Sequence, residues 1–319
     1  MKMFYLSTNK DLAEKIAAYA KEVLFETLPL TEGILTHFAD GEVLFESREP
    51  VRGEDVFIIQ STCAPANDTL MELLICIDAC KRASAKSITC IIPYYGYARQ
   101  DRKGSQRQSI SAKLVADMLS AAGATSIVCV DLHATQIVGF FNIPVDNISA
   151  TSLFYHKLKH EDRNNLVCVS PDHGGVVRTM ALASKLNVPI AIIDKRRPEP
   201  NKCEIVSLVG DVKGKDCVIV DDIVDTAGTL CNAADELKKL GAKSVRAFIT
   251  HGVLSKNAVD LIDKSGLDEL CITDSIPLRR KSQKITVVSL AGLLAEIIVA
   301  LKYNRPLRIV LNQFENKEN

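Results

Sequence analysis

The feature that most constrains this chain is a rhythm. Short runs that are apolar at successive positions, not at alternate ones, recur along it, and helix-period stretches lie between most of them. DVFIIQ (55–60), SITCIIPYY (87–95), SIVCVD (126–131), NLVCVS (165–170), VPIAIID (188–194), CVIVDD (217–222) and SVRAFIT (244–250) are such runs. A strand apolar on both sides has both faces covered, and the helices between such strands supply the covers and the crossovers that parallel pairing needs. The pattern predicts an α/β protein with parallel-dominated sheets, with helices near 66–83 and 111–122 among the crossovers. At ~150 residues per domain, the 319 residues make two domains.

The rhythm also repeats. FIIQSTCAPAND, TCIIPYYGYARQDRKG and IVCVDLHATQ follow one another in the first half; VCVSPDHGGVVR, IAIIDKRRPEPNK and VIVDDIVDTAG do so in the second. In this frame each half has a strand whose loop opens a helix, a strand with a long basic loop, and a strand ending in aspartate. Two copies of one α/β unit, joined near residue 148, are expected. Lysine plus arginine balances aspartate plus glutamate at 39 each, which argues against a dedicated binder of nucleic acid or of membrane surfaces. The ten cysteines are dispersed, without a C-x-x-C pair, and several sit inside apolar runs; they are expected as buried free thiols in a reducing compartment. MKMFYLSTNKDLAEKI has no long apolar region, and no stretch reaches the ~20 apolar residues of a membrane span. A soluble, cytoplasmic protein is expected.

The second half carries the sharpest chemistry. VIVDDIVDTAGTL (218–230) is an apolar run that meets Asp221 and Asp222, then Asp225, then the small residues Thr226, Ala227, Gly228 and Thr229 before a helix. In an open α/β sheet, ligands bind at the carboxyl ends of strands. Small residues leading into a helix leave N–H groups for an anion, whereas carboxylates accept hydrogen bonds from hydroxyls or hold magnesium directly or through water. Together they fit a phosphorylated sugar; the plainer reading is a capped helix start with solvated neighbours. SPDHGG (170–175) is a second anion-loop candidate, with Asp172 able to reach a metal, or a simple strand-to-helix turn. DKRRPEPNK (194–202) and YARQDRKGSQRQ (97–108) are basic loops suited to polyphosphate; either is otherwise a solvated charge run. DLHATQ (131–136) puts His133 at a strand end, where a ring nitrogen can meet a metal or a phosphate.

These stretches together carry a resemblance. VDDIVDTAGTL is similar to the PRPP-binding motif of type I phosphoribosyltransferases. With FADGE (38–42), VRGED (51–55), MELLICIDACKRASA (71–85), YYGYARQDRK (94–103), DLHATQIVGFFNIPVDN (131–147), SPDHGG and DKRRPEPN, it stands in the order found in the ribose-phosphate diphosphokinase (PRPP synthase) family, in its bacterial form. The resemblance runs from about residue 3 to about residue 300. It implies two tandem phosphoribosyltransferase-like domains, each a parallel-dominated sheet flanked by helices, over 1–148 and 149–319, with the last ~15 residues packing back on the first domain. It implies transfer of the β,γ-diphosphoryl group of ATP to the 1-hydroxyl of ribose 5-phosphate, with Mg2+, in a homohexamer.

Residue by residue, the resemblance implies that Phe38, Asp40, Gly41 and Glu42 form an adenine loop lent to a neighbouring subunit, and that Arg99, Gln100 and Asp101 contact ATP. His133 and Asp172 match magnesium-associated positions, and Lys195 and Arg197 (with His133) the catalytic set. Asp221 and Asp222 match the ribose acids, and Asp225, Thr226, Ala227, Gly228 and Thr229 surround the 5-phosphate, with Arg197 nearby. The chain departs from the pattern at Asn142, often aspartate in the family, in GSQRQSI, which lacks the usual proline, and in its C-terminal RPLRIVLNQFENKEN. The last two fall where ADP and phosphate regulate the family. A PRPP-consuming transferase would leave FADGE, YARQDR and DKRR unexplained; a non-catalytic associated subunit would show altered loops, and DKRRPEPN is uninterrupted.

Overall fold

The apolar runs of the first half become the interior strands of a parallel sheet. The structure, a computed structural model, describes residues 1–199 and 202–316, the side chains of 194–207 excepted. It divides into a first unit of Met1–Ser149, Ser275–Pro277 and the chain from Ser289 onward, and a second of Ala150–Asp274 and Leu278–Val288.

In the first unit, β1 (Lys2–Tyr5), β4 (Asp55–Ile59), β5 (Ser87–Ile92), β6 (Ser126–Val130) and β7 (Val145–Ile148) pair in that order, all parallel. β2 (Gly33–His37) and β3 (Val43–Ser47) form a separate antiparallel hairpin. Helices α1 (Lys10–Val23), α2 (Ala66–Arg82) and α3 (Ser111–Ala122) lie between the strands. Val56, Phe57, Ile58 and Ile59 are all buried, as a strand covered on both faces requires. Leu73 and Ile77 of α2 and Leu119 of α3 close over one face with Ile58, Ile92 and Ile127.

In the second unit, β8 (Leu166–Ser170), β9 (Ile190–Glu199), β10 (Lys202–Val209), β11 (Asp216–Val224), β12 (Ser244–Gly252), β13 (Glu269–Thr273) and β14 (Ile285–Val288) form a sheet in the order β10-β9-β8-β11-β12-β13-β14. All pairings are parallel except β9 with β10. Its helices are α4 (Thr151–Leu158), α5 (Val176–Leu186), α6 (Gly228–Lys239) and α7 (Ala258–Lys264).

The internal repeat is present, but in a different frame from the one the letters offer. The order β1-β4-β5-β6-β7 is reproduced by β8-β11-β12-β13-β14, with α1 and α5 after the first strand and α2 and α6 after the second. FIIQSTCAPAND therefore corresponds to VIVDDIVDTAG and not to VCVSPDHGG. The two basic stretches are not equivalents either: YARQDRKGSQRQ follows β5, whereas DKRRPE is no loop but part of β9, hydrogen-bonded to β10. Similar loops had aligned by their order along the chain, while strand neighbours are decided by pairing.

The helix after the fifth strand of each repeat belongs to the other unit. α4 follows β7 but packs on α5; α8 (Ala291–Lys302) follows β14 but packs on α1, with α9 (Leu307–Glu315) beside it. α8 is apolar nearly all round and buried at Leu293, Leu294, Ile297 and Ile298, the pattern of a core helix. Lys302 pairs with Glu26 at 2.9 Å, and Tyr303 Oη donates to the same carboxylate. The return to the first unit thus begins at Ser289, well before the last ~15 residues expected from sequence.

Candidate functional site

β8 is the strand at which the second sheet reverses direction. Its successor β9 lies on one side of it and β11 on the other, so a crevice opens between the carboxyl ends of β8 and β11, the place where ligands enter such sheets. β11 pairs with β8 only as far as Ile219↔Val169, but with β12 as far as Val224↔Gly252. Asp221 and Asp222 therefore do not end the strand, as expected; they lie in a stretch that has lost its β8 neighbour and is still held by β12.

Successive strand residues face opposite sides, and the two acids differ accordingly. Asp222 is buried, with 4% of its side chain exposed, while Asp221 keeps 28%. Arg178, on α5, bridges them: its guanidinium forms an ion pair with Asp222 and lies 3.4 Å from Asp221 Oδ1. The Asp222 N–H also donates to Asp221 Oδ1 at 2.9 Å. Burial, then the adjacent Asp222 carboxylate, push the Asp221 carboxyl up to about 7, with Arg178 opposing them. Sequence reading missed Arg178. The available signal was its place in VVRTM, eight residues after the β8 end in a helix facing the same crevice.

The loop after β11 is built for close approach. Ala227 sits in the left-handed region at φ 62° and caps α6, which has no side-chain cap and no acid in its first turn. A non-glycine residue there stores strain, which clusters at ligand sites. Thr226 and Thr229 are exposed, Gly228 half-buried. Asp225 is tied to Ser255 through its side chain and accepts from the Ser255 N–H at 3.1 Å. Across the crevice, Asp172 is exposed; its Oδ1 accepts from the Gly175 N–H at 2.9 Å, and Ser170 Oγ donates to its carbonyl at 2.7 Å. The SPDHGG turn is thus fixed in shape by its own side chains.

In the first unit, Arg99, Gln100 and Asp101 follow β5, and His133 follows β6 on the neighbouring strand. Gln100 accepts from Ser111 Oγ at 2.6 Å, and Asp101 accepts from Gln136 Nε2 at 2.7 Å, which links the two loops. Gln136 is another residue sequence reading passed over. Tyr97 and Asp131 have φ values of 63° and 38° at the starts of these loops. Phe38, Asp40, Gly41 and Glu42 form the exposed turn of the β2–β3 hairpin. Phe38 N–H donates to the Glu42 carbonyl, Gly41 N–H to the Phe38 carbonyl, and Glu42 N–H to Asp40 Oδ1. Gly41 takes φ 94°, which a side chain would resist. Lys195 and Arg197 have their backbone in β9, but their side chains lie outside the described residues.

Residues 1–123 match the family model described as the N-terminal domain of ribose phosphate pyrophosphokinase, and residues 145–277 match the phosphoribosyl transferase domain. A ribose-phosphate pyrophosphokinase of Agrobacterium fabrum is 53% identical over 302 residues, covering 93% of this chain and 96% of its own. One from Burkholderia pseudomallei is 56% identical over 284 residues, 88% and 89% of the two chains. The crystal structure of phosphoribosylpyrophosphate synthetase from Mycobacterium smegmatis superposes with a TM-score of 0.87 at 42% identity, covering 95% of this chain and 99% of that one.

Proposed function

This chain belongs to the ribose-phosphate pyrophosphokinase family, and on that premise we propose how its residues divide the work. The enzyme moves the β,γ-diphosphoryl group of ATP onto the 1-hydroxyl of ribose 5-phosphate, giving PRPP and AMP. The observation that carries the assignment of roles is the β8–β11 crevice. It sets two carboxylates beside a helix start without acids, and only a ligand with a hydroxyl end and a phosphate end satisfies both.

Asp221 and Asp222 take the ribose hydroxyls. Residues 225–229 take the 5-phosphate on backbone N–H groups and the Thr226 and Thr229 hydroxyls. Arg178 holds the two acids in place while offsetting their charge. By the family resemblance Lys195, Arg197 and His133 serve the diphosphoryl group, whose transfer needs positioning and charge compensation, not a protein nucleophile. Arg99, Gln100 and Asp101 bind ATP, and the 38–42 turn receives the base in a neighbouring subunit of a hexamer.

Among the described residues no cluster of three or more histidine, cysteine, aspartate or glutamate side chains could hold a metal by itself. Magnesium keeps several waters and takes one or two protein ligands together with substrate phosphates. Asp172 and His133 would hold it, and bound there it would neutralise phosphate oxygens. Among the described residues no helix is long and apolar enough to cross a membrane. The buried free thiols suit a reducing compartment, and on that ground we place the enzyme in the cytoplasm.

The test is AMP release from ATP and ribose 5-phosphate with no nucleobase present. Stoichiometric AMP and PRPP are expected; a PRPP-consuming transferase would release neither. Dilution to monomers should abolish the activity, and an active monomer would remove the shared base site.

A further inference from the structure

A buried carboxylate outside the crevice calls for an explanation. Glu72, on α2, is only 3% exposed in its side chain. An ionised group so placed persists only when paired and hydrogen-bonded. Its partners are Ser7 Oγ at 2.5 Å, Gln60 Nε2 at 2.7 Å and His37 Nε2 at 2.9 Å. The first two belong to the carboxyl ends of β1 and β4, and Gln60 is itself fixed by Thr8 and the Thr69 carbonyl. The third is different. His37 is the last residue of β2, half-exposed, and directly precedes the turn 38–42.

The hairpin needs such an anchor at that end. A two-stranded hairpin is marginal by itself. Its base is well held: Phe45 is buried, meets Phe4 edge-on at 5.5 Å, and lies so close over Gly33 that a Cβ there would come within 2.5 Å of the ring. Beyond the Leu35↔Phe45 pair the apolar grip ends, because Leu44, opposite Thr36, is 46% exposed. In the final pair, His37↔Val43, the His37 side chain hydrogen-bonds from the distal half to the body of the unit.

We propose that the His37–Glu72 pair is a strut that fixes the 38–42 turn against the carboxyl edge of the first sheet, so that Glu72 and His37 are positioning residues for ATP. This rests on the reading of 38–42 as the base-binding turn. It adds that the turn's placement is set from inside the unit, through a buried carboxylate that never meets the nucleotide.

The experiment is steady-state kinetics of the full chain with ATP and ribose 5-phosphate varied separately, alongside the thermal midpoint. His37→Ala should raise KM for ATP about tenfold, the size of effect a lost charge-assisted hydrogen bond produces, and leave kcat and KM for ribose 5-phosphate within about twofold. His37→Arg supplies N–H donors to the Glu72 carboxylate and should return KM for ATP towards its original value. Should His37→Ala fold poorly, His37→Gln keeps a neutral donor and should give an intermediate KM. Phe38→Ala separates the two layers of the argument. If it raises KM for ATP and His37→Ala does not, the strut is wrong and the turn assignment stands. If Phe38→Ala changes nothing, both fall. Equal losses for the two substrates, or no rescue by arginine, would reduce the pair to a general structural role and overturn the proposal.

Discussion

β4 and β11 occupy the same place in their two sheets, each followed by a loop and a helix, yet the chemistry at their ends is opposite. After β4 come Gln60 and Ser61, both fully buried and consumed internally. Gln60 bonds Thr8, Thr69 and Glu72, while Ser61 N–H donates to Asn9 Oδ1 at 2.5 Å and its hydroxyl to the Ser275 carbonyl at 2.6 Å. The helix beyond, α2, begins after Pro65 and carries Asp68 in its first turn, which opposes an anion. After β11 come Asp221 and Asp222, bridged by Arg178, and α6 begins without an acid. One topology supplies a crevice in each unit. Only the second leaves carboxylates at its crevice, where we propose the sugar phosphate binds; the first has filled its own with side chains bonded to one another.

The largest expected effect tests that contrast directly. Asp222→Asn should lower kcat/KM for ribose 5-phosphate by about 1,000-fold, since in the proposed site a ribose hydroxyl loses its charged acceptor. Gln60→Ala, its counterpart one residue out of step, should leave kcat within about twofold and cost about 2 kcal/mol in urea denaturation, by stripping a donor from buried Glu72. Loss of turnover in Gln60→Ala would break the comparison.

A second pair lies at the ends of the next strands. A Cβ on Gly96 would meet the Thr62 backbone carbonyl at 2.2 Å, whereas one on Gly252 would meet the tip of Ile272 at 2.6 Å. Backbone cannot yield as a side-chain tip can, so Gly96→Ala should destabilise by more than ~3 kcal/mol and Gly252→Ala by ~1 kcal/mol. Chemical denaturation of both variants decides it.

A third expectation concerns pH. In the folded, ligand-free protein the Asp221 carboxyl is held near 7, above its ordinary value of 3.8. Between those values the native state keeps a proton that the unfolded chain has released. Stability contributed by this group is therefore present at acid pH and lost as pH rises toward 7. Asp221→Asn should flatten that part of the stability profile measured by denaturant titration; Gln60→Ala should not. The smallest effect is reserved for Asn142, exposed in the loop before β7. Asn142→Asp should change turnover by no more than about twofold.

How much of this was legible beforehand follows from the range of each interaction. The strands β4, β5, β6, β8, β11 and β12 were visible because their residues are apolar at successive positions and buried on both faces. KMFY, VDNI and ITVV escaped notice because they are four residues long and only partly buried. The hairpin of β2 and β3 escaped because its strands are half-exposed. Asp221, Asp222 and the small-residue turn were apparent as letters. The arginine between the acids was not, since it stands 43 positions away and reaches them only when α5 folds over the sheet.

The sequence by itself determined the α/β class, the presence of a repeat, the inventory of acids, basic stretches and small-residue turns, and the family they resemble. All of these depend on residues close together in the chain. The tertiary structure alone decided the frame of the repeat, the exchange of α4 and α8 between units, and the burial that separates Asp222 from Asp221. It also decided the seating of Glu72 beneath His37. Strand neighbours, burial and charge pairing are set by which distant segments meet, and a local pattern does not carry that information.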